Sequence, residues 1–244
     1  MNLTITLATT RRILSQLRHD HRTVALMLAV PTVLMVLLRF MFNSELVFNR
    51  VAPAVLGIFP FVIMFLLTSI ATLRERTSGT LERLMTMPMG KLDLLFGYAL
   101  AFGVMALAQV AIVATITLTW LGLDISGSVG LWLLVAVLDA LLGMALGLFV
   151  SAFARTEFQA VQFMPAVVLP QLLLCGLFIA RNQMNQVLEA VSNVLPMSYA
   201  IDAMTLVTRS TAVSGELIRD LVIIGGCGVL ALILGAATLR RRTA

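Results

Sequence analysis

Charge is scarce in this sequence, and so are the residue types that usually carry enzyme chemistry. Only 12% of the 244 residues are charged, about half the share of an ordinary soluble domain. His19 and His21 are the only histidines, and two positions apart on a helix they would point away from each other. Cys175 and Cys227 both fall in apolar runs, as small packing residues do. The composition argues against a disulfide framework, a metal centre and acid–base catalysis.

Long uncharged apolar runs are what the chain has in abundance. It is 60% hydrophobic, with a mean hydropathy of +1.01. A helix needs about 20 apolar residues to cross the hydrocarbon of a bilayer, and other backbone forms would leave polar groups unsatisfied there. We predict an all-α membrane protein with six transmembrane helices in a single domain, residues 1–244. The predicted spans run from Thr23 to about Phe42, Val51 to Leu73, Leu92 to Trp120, Leu131 to Phe153, Phe158 to Ile179 and Leu221 to Leu239.

The basic residues are divided unevenly between the two sides that these spans create. With the amino terminus in the cytoplasm, twelve Arg and Lys residues lie inside and five lie at or beyond the outer face. Because cytoplasmic segments carry such an excess, we expect both termini in the cytoplasm. The net charge of +5 then reports membrane topology, and no nucleic-acid partner is expected. The first apolar run follows a segment with four Arg, so we expect an uncleaved anchor rather than a signal peptide.

Residues 1–22 have the pattern of an amphipathic helix. Leu3, Leu7 and Leu14 share one face, and arginines such as Arg11 share the other. Such a helix can lie in the membrane interface, with its leucines toward the acyl chains and its arginines toward anionic headgroups. A plain cytoplasmic helical tail is the alternative.

Residues 180–220 are too polar for a span and too long for a turn. Apolar residues recur at helical spacing from Val187 to Leu195 and stop at Pro196. A second short helix is expected over 199–207. We predict an outer helical hairpin that either dips into the outer leaflet or caps the surface.

The strongest polar pattern lies between the second and third predicted spans, in residues 74–91. Gly79 allows the chain to turn, and beyond it Leu81, Leu84 and Met85 begin one apolar helical stripe. A short, sided helix in the cytoplasm is explained if its stripe docks into a groove of a partner. A connector resting on the lipid headgroups explains the same pattern, and the residues alone do not decide between the two.

One acid, Asp139, stands in the middle of the fourth predicted span. A charge there costs about 3 kcal/mol on insertion scales, so its side chain should face protein or water. Gly143, Gly147 and Ser151 follow at steps of four, a stripe that lets another helix come close. Asp139 therefore lines a translocation path, pairs with Arg39, or serves as a protonated or hydrogen-bonded packing acid.

Two stretches of the chain resemble the permeases of the ABC-2 type transporter family. Residues 75–82, Glu-Arg-Thr-Ser-Gly-Thr-Leu-Glu, with Leu84 and Pro88 beyond them, are similar to that family's first cytoplasmic loop. Residues 169–178 and 195–203 are similar to its fifth helix and outer hairpin. Their order and the number of spans agree with the family over essentially the whole chain. The resemblance favours a loop that docks onto a partner.

The chain departs from the family pattern at two places. The family often has Ser where Cys175 stands, and an acidic residue near Thr77. These departures affect the assignment to a branch of the family more than the assignment to the family itself. The small size and the lack of a large outer domain resemble the drug and antibiotic resistance branch.

The resemblance implies the permease half of an ATP-driven exporter in a bacterial or archaeal cytoplasmic membrane. Two permease chains, identical or paralogous, would each dock one copy of a separate ABC ATPase subunit. ATP and Mg²⁺ would be bound by that subunit, so this chain is expected to need no cofactor and to be no enzyme. Its only Gly-Lys pair, Gly90-Lys91, lacks the rest of a phosphate-binding loop. The expected cargo is amphiphilic, a drug-like molecule or a lipid, because paired spans offer an apolar chamber.

The candidate site residues fall into three groups. For coupling to the ATPase we select Glu75, Arg76, Gly79, Thr80, Leu81, Glu82 and Leu84. For the outer gate we select Phe178, Pro196, Tyr199 and Asp202. Asp139 is the intramembrane polar candidate. Two other functions stay open, a secondary transporter driven by protons through Asp139 and a non-transporting membrane scaffold.

Overall fold

The chain begins with two helices that meet end to end at one capping residue. The computed structural model describes residues 2–42, 44–80 and 90–238. Helix α1 covers Leu3–His19 and helix α2 covers His21–Met41. Between them, the backbone N–H of Asp20 donates to two carbonyls in the last turn of α1, those of Gln16 and Leu17. The carboxylate of Asp20 accepts from the backbone N–H of Thr23 at 3.1 Å. Such a side chain satisfies an N–H group that the first turn of a helix leaves without a partner.

The remaining helices account for nearly all of the other described residues. They are α3 (Glu45–Thr77), α4 (Lys91–Thr119), α5 (Val129–Val150), α6 (Glu157–Leu174), α7 (Gln186–Ser192), α8 (Pro196–Arg209) and α9 (Gly215–Thr238), with a 3₁₀ turn at Arg181–Gln183. Counting α2, six of the described helices are long and apolar enough to cross a membrane, namely α2 to α6 and α9. No strand occurs within these ranges. The predicted all-α membrane fold with six spans is confirmed.

Helices α3 and α5 form the centre of the bundle. In their most apolar stretches 61% of the residues are buried, against 17% in α2, α6 and α9. A Cβ atom added to Gly143 or Gly147 would lie 2.3 Å from the backbone carbonyl oxygen of Phe61 or Phe65, respectively. The backbones of α3 and α5 therefore touch, as small residues allow between membrane helices.

Two opposite ends of the bundle can be defined from contacts between helices. At one end, here called the loop end, the backbone N–H of Asn2 donates to Asp93 at 2.7 Å, joining α1 to the start of α4. At the other, the hairpin end, the backbone N–H of Ser126 donates to the carbonyl of Thr208 at 3.1 Å. Helices α7 and α8 lie at the hairpin end and are bent by 84° relative to each other.

Helix α1 buries only part of the face that its leucine pattern indicated, namely Thr10 and Leu17. Leu3 and Leu7 are exposed, whereas Thr6, Thr9 and Thr10 are buried. The hydroxyls of these threonines donate to backbone carbonyls four residues earlier, so their burial leaves no unsatisfied donor. Short threonine side chains also let α1 approach α4 closely. The placement of α1 in the membrane interface stays a prediction.

Helix α3 extends further at both ends than the apolar run predicted. It begins at Glu45 and ends at Thr77, inside the predicted loop 74–91. Nothing in the charged residues of its last turn disfavours a helix, and the chain leaves helical geometry only at Gly79, with φ +71°. Two residues selected for coupling, Glu75 and Arg76, therefore lie on a rigid helix rather than in a loop.

Candidate functional site

The last turns of α3 are connected to α1 through an ion pair. A guanidinium nitrogen of Arg12 lies 3.0 Å from a carboxylate oxygen of Glu75, and both side chains are largely shielded from solvent. Charge-assisted hydrogen bonds of this kind are stronger than neutral ones. Arg12 was not selected from the sequence, because no local pattern connects two residues that lie 63 positions apart.

The two arginines that flank Glu75 reach two further helices. Arg74 donates two hydrogen bonds to Glu157, the first residue of α6, at 2.7 and 3.1 Å. Arg76 donates to the hydroxyl of Thr238, the last residue of α9, at 3.5 Å. The Arg74–Glu157 pair is exposed, so its contribution to stability is small, but it connects the end of α3 to the start of α6. Three neighbouring residues of α3 thus contact α1, α6 and α9. We call Arg12, Arg74, Glu75, Arg76 and Glu157 the loop-end cluster.

The rest of the predicted coupling set begins where α3 stops. Gly79 adopts a left-handed conformation in which a side chain would be strained. The hydroxyls of Ser78 and Thr80 lie 3.0 Å apart. The other three selected residues, Leu81, Glu82 and Leu84, lie outside the described residues.

A second polar cluster lies at the hairpin end and is centred on Arg181. Its guanidinium donates to the carboxylate of Asp202 on α8 and to the side-chain oxygen of Asn193, which follows α7. The central carbon of the Arg181 guanidinium lies 5.0 Å from the ring centroid of Tyr199, within cation–π range. Partial burial raises the pKa of Asp202, and the positive charge of Arg181 opposes that rise. We call Arg181, Asn193, Tyr199 and Asp202 the hairpin cluster.

Further hydrogen bonds hold α7 and α8 against the end of α6. The hydroxyl of Tyr199 donates to the carbonyl of Asn193 at 2.6 Å. The hydroxyl of Ser192 donates to the carbonyl of Leu174 at 2.7 Å and lies 3.1 Å from the hydroxyl of Ser198. These bonds connect the ends of α6, α7 and α8 across a turn of the chain.

The structure brings together only part of the set that was selected for the outer gate. Tyr199 and Asp202 both contact Arg181, whereas Pro196 starts α8 as its first residue. Phe178 is exposed. Arg181 was missed as a site residue because a basic residue at the outer face does not by itself indicate which side chains it contacts. Its position beside a run of polar residues was the available signal.

Asp139, on α5, lies fully buried against α3 and α8. Its Oδ2 atom is 3.5 Å from the position that a Cβ atom on Gly57 of α3 would take, and the side chain of Met204 on α8 reaches the same place. Neither carboxyl oxygen has a hydrogen-bond partner among the described residues. Arg39 does not pair with it. That guanidinium donates to the carbonyl of Leu121 at 3.1 Å and to Glu45 at 3.3 Å.

The fold and the two clusters define a multi-pass helical membrane protein with a polar contact network at each end. Residues 4–207 match the ABC-2 type transporter family. That match covers most of the chain, and the chain belongs to this family.

Individual relatives agree with the family but are distant. The probable multidrug ABC transporter permease YbhS of Escherichia coli is 25% identical over 168 residues, which cover 68% of this chain and 45% of YbhS. The inner membrane transport permease YhhJ of Escherichia coli is 26% identical over 141 residues, 57% of this chain and 38% of YhhJ. ABC transporter G family member 20 of Dictyostelium discoideum is 28% identical over 162 residues, 66% of this chain and 22% of that protein. The chain spans less than half the length of these relatives.

Proposed function

We propose that this chain is the permease subunit of an ATP-driven exporter of amphiphilic molecules, powered by a separate ABC ATPase. The observation that carries the proposal is the loop-end cluster, in which three consecutive residues of α3 contact α1, α6 and α9. A force applied to the segment after Gly79 would act on α3 and, through these contacts, on three other helices. Family membership and the names of the Escherichia coli relatives support a permease role.

The proposed assembly contains two permease chains, identical or paralogous, and two ATPase subunits. ATP and Mg²⁺ would bind to the ATPases, so this chain would carry out no hydrolysis itself. We place the loop end and both termini in the cytoplasm and the hairpin end outside, because basic residues are in excess at the loop end. The membrane would be the cytoplasmic membrane of a bacterium or archaeon.

Transmission of movement would pass along the central pair of helices. Because the backbones of α3 and α5 touch at Gly143 and Gly147, the two helices are expected to move as one body. Helix α8 packs against both of them, so movement at the loop end would reach the hairpin cluster. We propose that opening of the outer gate separates Arg181 from Asp202.

The docking of the ATPase can be tested by co-purification with a candidate ABC ATPase, chosen from the genes that neighbour the permease gene. Leu81→Asp combined with Leu84→Asp should abolish capture of the ATPase, because a charged stripe does not enter an apolar groove. Val213→Asp is the matched control, since Val213 is an exposed apolar residue between α8 and α9. It should capture the ATPase normally. Capture at full stoichiometry by the double variant would refute the docking assignment.

A further inference from the structure

A deep groove opens at the loop end between α1, α2, α3 and α4. Its volume is about 610 Å³, within the range of roughly 300–1,000 Å³ that small-molecule sites occupy. The groove opens sideways at α2, where Leu26 and Val30 are exposed. Its apolar wall includes Leu26, Ile63, Leu66, Ile70, Ala71 and Phe102.

The groove is apolar along its length and polar at one rim. The rim carries Asp20, Arg74 and Glu75, together with small polar side chains of α2 and of the segment after α3. In the orientation proposed above, this rim lies at the cytoplasmic headgroups and the apolar wall lies within the inner leaflet. A molecule that fits both parts has an apolar body and one polar head.

The charges at the rim indicate the sign of that head. Arg74 is paired with Glu157 at 2.7 Å, and Glu75 is paired with Arg12 at 3.0 Å. Asp20, by contrast, has no cationic side chain within salt-bridge distance among the described residues. The positive charges of Arg74 and Arg22 still act on Asp20 and lower its pKa, but neither side chain pairs with it directly. Among the described residues of the rim, Asp20 is therefore the acid without a direct ion-pair partner.

Asp20 is held in its ionised form by its capping role. The hydroxyl of Thr23 donates to its carboxylate at 2.7 Å, and the backbone N–H of Thr23 donates at 3.1 Å. These hydrogen bonds lower the pKa of Asp20, because they favour the charged form. Asp20 is thus a fixed anion at the mouth of the groove.

One wall residue has an unused hydrogen-bonding group. Tyr98 of α4 lines the groove and is 3% exposed. Its hydroxyl has no hydrogen-bond partner among the described residues, although buried tyrosine hydroxyls usually have one. A bound molecule with a polar atom in its body would supply that partner after a small side-chain movement.

We propose that the groove between α1, α2, α3 and α4 binds a cationic amphiphile from the adjoining leaflet, with its cation beside Asp20 and its apolar body along α3. The idea that this amphiphile is cargo rests on the proposed function. The binding itself requires neither the ATPase nor ATP. An anionic amphiphile should bind more weakly, because its head would face the carboxylate of Asp20.

Binding can be measured on the full chain in nanodiscs of zwitterionic lipid, without any ATPase. The probe is tetramethylrhodamine methyl ester, a cationic fluorescent amphiphile, and its binding is followed by fluorescence anisotropy against protein-free nanodiscs. The free acid of the same dye is the charge control, because its carboxylate cancels the positive charge. The ester should bind more tightly than the free acid.

Three variants test the polar rim, the apolar wall and the hydroxyl of Tyr98. Asp20→Asn should weaken binding of the ester by about tenfold and leave binding of the free acid nearly unchanged. Asparagine caps a helix as well as aspartate does, so this variant is expected to fold. Leu66→Trp should remove binding of both dyes by filling the groove. Tyr98→Phe should weaken binding several-fold, because it removes the hydroxyl that the dye would engage.

Matched controls change the same residue types elsewhere. Asp124→Asn removes an exposed acid at the hairpin end. Val104→Trp fills a second groove, of about 470 Å³, which lies between α4, α5 and α9 and is apolar throughout. Both should bind the ester like the unmodified chain. A thermal melt of each variant confirms that it is folded.

Several results would overturn the proposal. These are no binding of the ester to the unmodified chain, equal binding of ester and free acid, unchanged binding by Asp20→Asn, or loss of binding in Val104→Trp. Because no ATPase is present, such a result leaves the coupling proposal untouched. Normal binding of the ester together with failed capture of the ATPase by the unmodified chain would instead reject the proposed function and retain the groove.

Discussion

At the scale of single residues, the contact between α3 and α5 depends on the absence of a side chain. An added Cβ atom on Gly143 would lie 2.3 Å from the carbonyl oxygen of Phe61 and 2.9 Å from its carbonyl carbon. Real Cβ atoms do not come so close to backbone, and the backbone of α3 cannot move aside without disturbing the centre of the bundle. Even alanine at this position would push the helices apart.

Gly143→Ala is therefore expected to destabilise the protein by about 1–3 kcal/mol, the usual cost of overpacking a core. The melting temperature in detergent should fall accordingly. Gly226→Ala is the matched control, because within the described ranges no atom outside its own turn of helix lies within 4 Å of an added Cβ on Gly226 of α9. That change should be neutral or stabilise by up to about 1 kcal/mol, through helix propensity. Equal melting temperatures of the two variants would contradict the close approach.

The sequence predicted half of this contact. The spacing of Gly143, Gly147 and Ser151 indicated a face that another helix approaches. It did not indicate that the partner is α3, because Phe61 and Phe65 are large residues and form no small-residue stripe of their own. The contact uses their backbone carbonyls, which every residue has.

At the scale of elements, the hairpin cluster connects α7 to α8, and α8 itself packs on the bundle through buried residues such as Ile201 and Met204. Most of the apolar surface of α7 is exposed, including Val187 and Val191. Packing alone therefore holds this helix weakly. Arg181 supplies the missing connection by contacting Asn193, Tyr199 and Asp202.

A double-mutant cycle on Arg181→Gln and Asp202→Asn should reveal coupling between the two side chains. Residues that share hydrogen bonds usually couple by about 0.5–3 kcal/mol. The measurement is the free energy of unfolding from a denaturant titration in detergent micelles. Arg209→Gln replaces an exposed arginine at the end of α8. Paired with Asp202→Asn, it should give additive effects. Additivity in the Arg181 cycle would show that the ion pair contributes nothing.

The elements themselves were largely predictable, whereas their ends and buried faces were not. Each span is an uncharged run long enough for a bilayer, so its existence follows from composition. Helix α3 passes the predicted boundary at Leu73 because charged residues leave the membrane without ending the helix. Helix α1 buries Thr9 and Thr10 rather than Leu3 and Leu7, because its neighbour α4 offers a close backbone approach at Gly97.

At the scale of the whole molecule, the proposed ATP-driven transport has a proton-driven alternative. Asp139 is the feature that favours a proton-driven alternative, since its carboxyl is fully buried and has no partner among the described residues. Its surroundings favour a packing role instead. Gly57 and Met204 enclose it from α3 and α8, and Arg39 is engaged elsewhere.

We expect Asp139→Asn to leave ATP-driven transport of the rhodamine ester unchanged in proteoliposomes that contain the ATPase. The reason is that energy would come from the ATPase, and asparagine fills the same space. The control omits ATP and imposes a proton gradient, which should drive no transport. Transport by the gradient alone, abolished by Asp139→Asn, would establish the proton-driven alternative and remove the ATP-driven one.

The sequence by itself determined the membrane fold, the six spans and the family. These follow from local properties, since a run of apolar residues must be a helix in lipid and a motif is a continuous segment. Only the tertiary structure decided which residues meet. Arg12 meets Glu75, Arg181 meets Asp202, and the groove beside Asp20 is formed by four helices. Such contacts depend on how the helices are placed against one another, and no periodicity within a single helix specifies that placement.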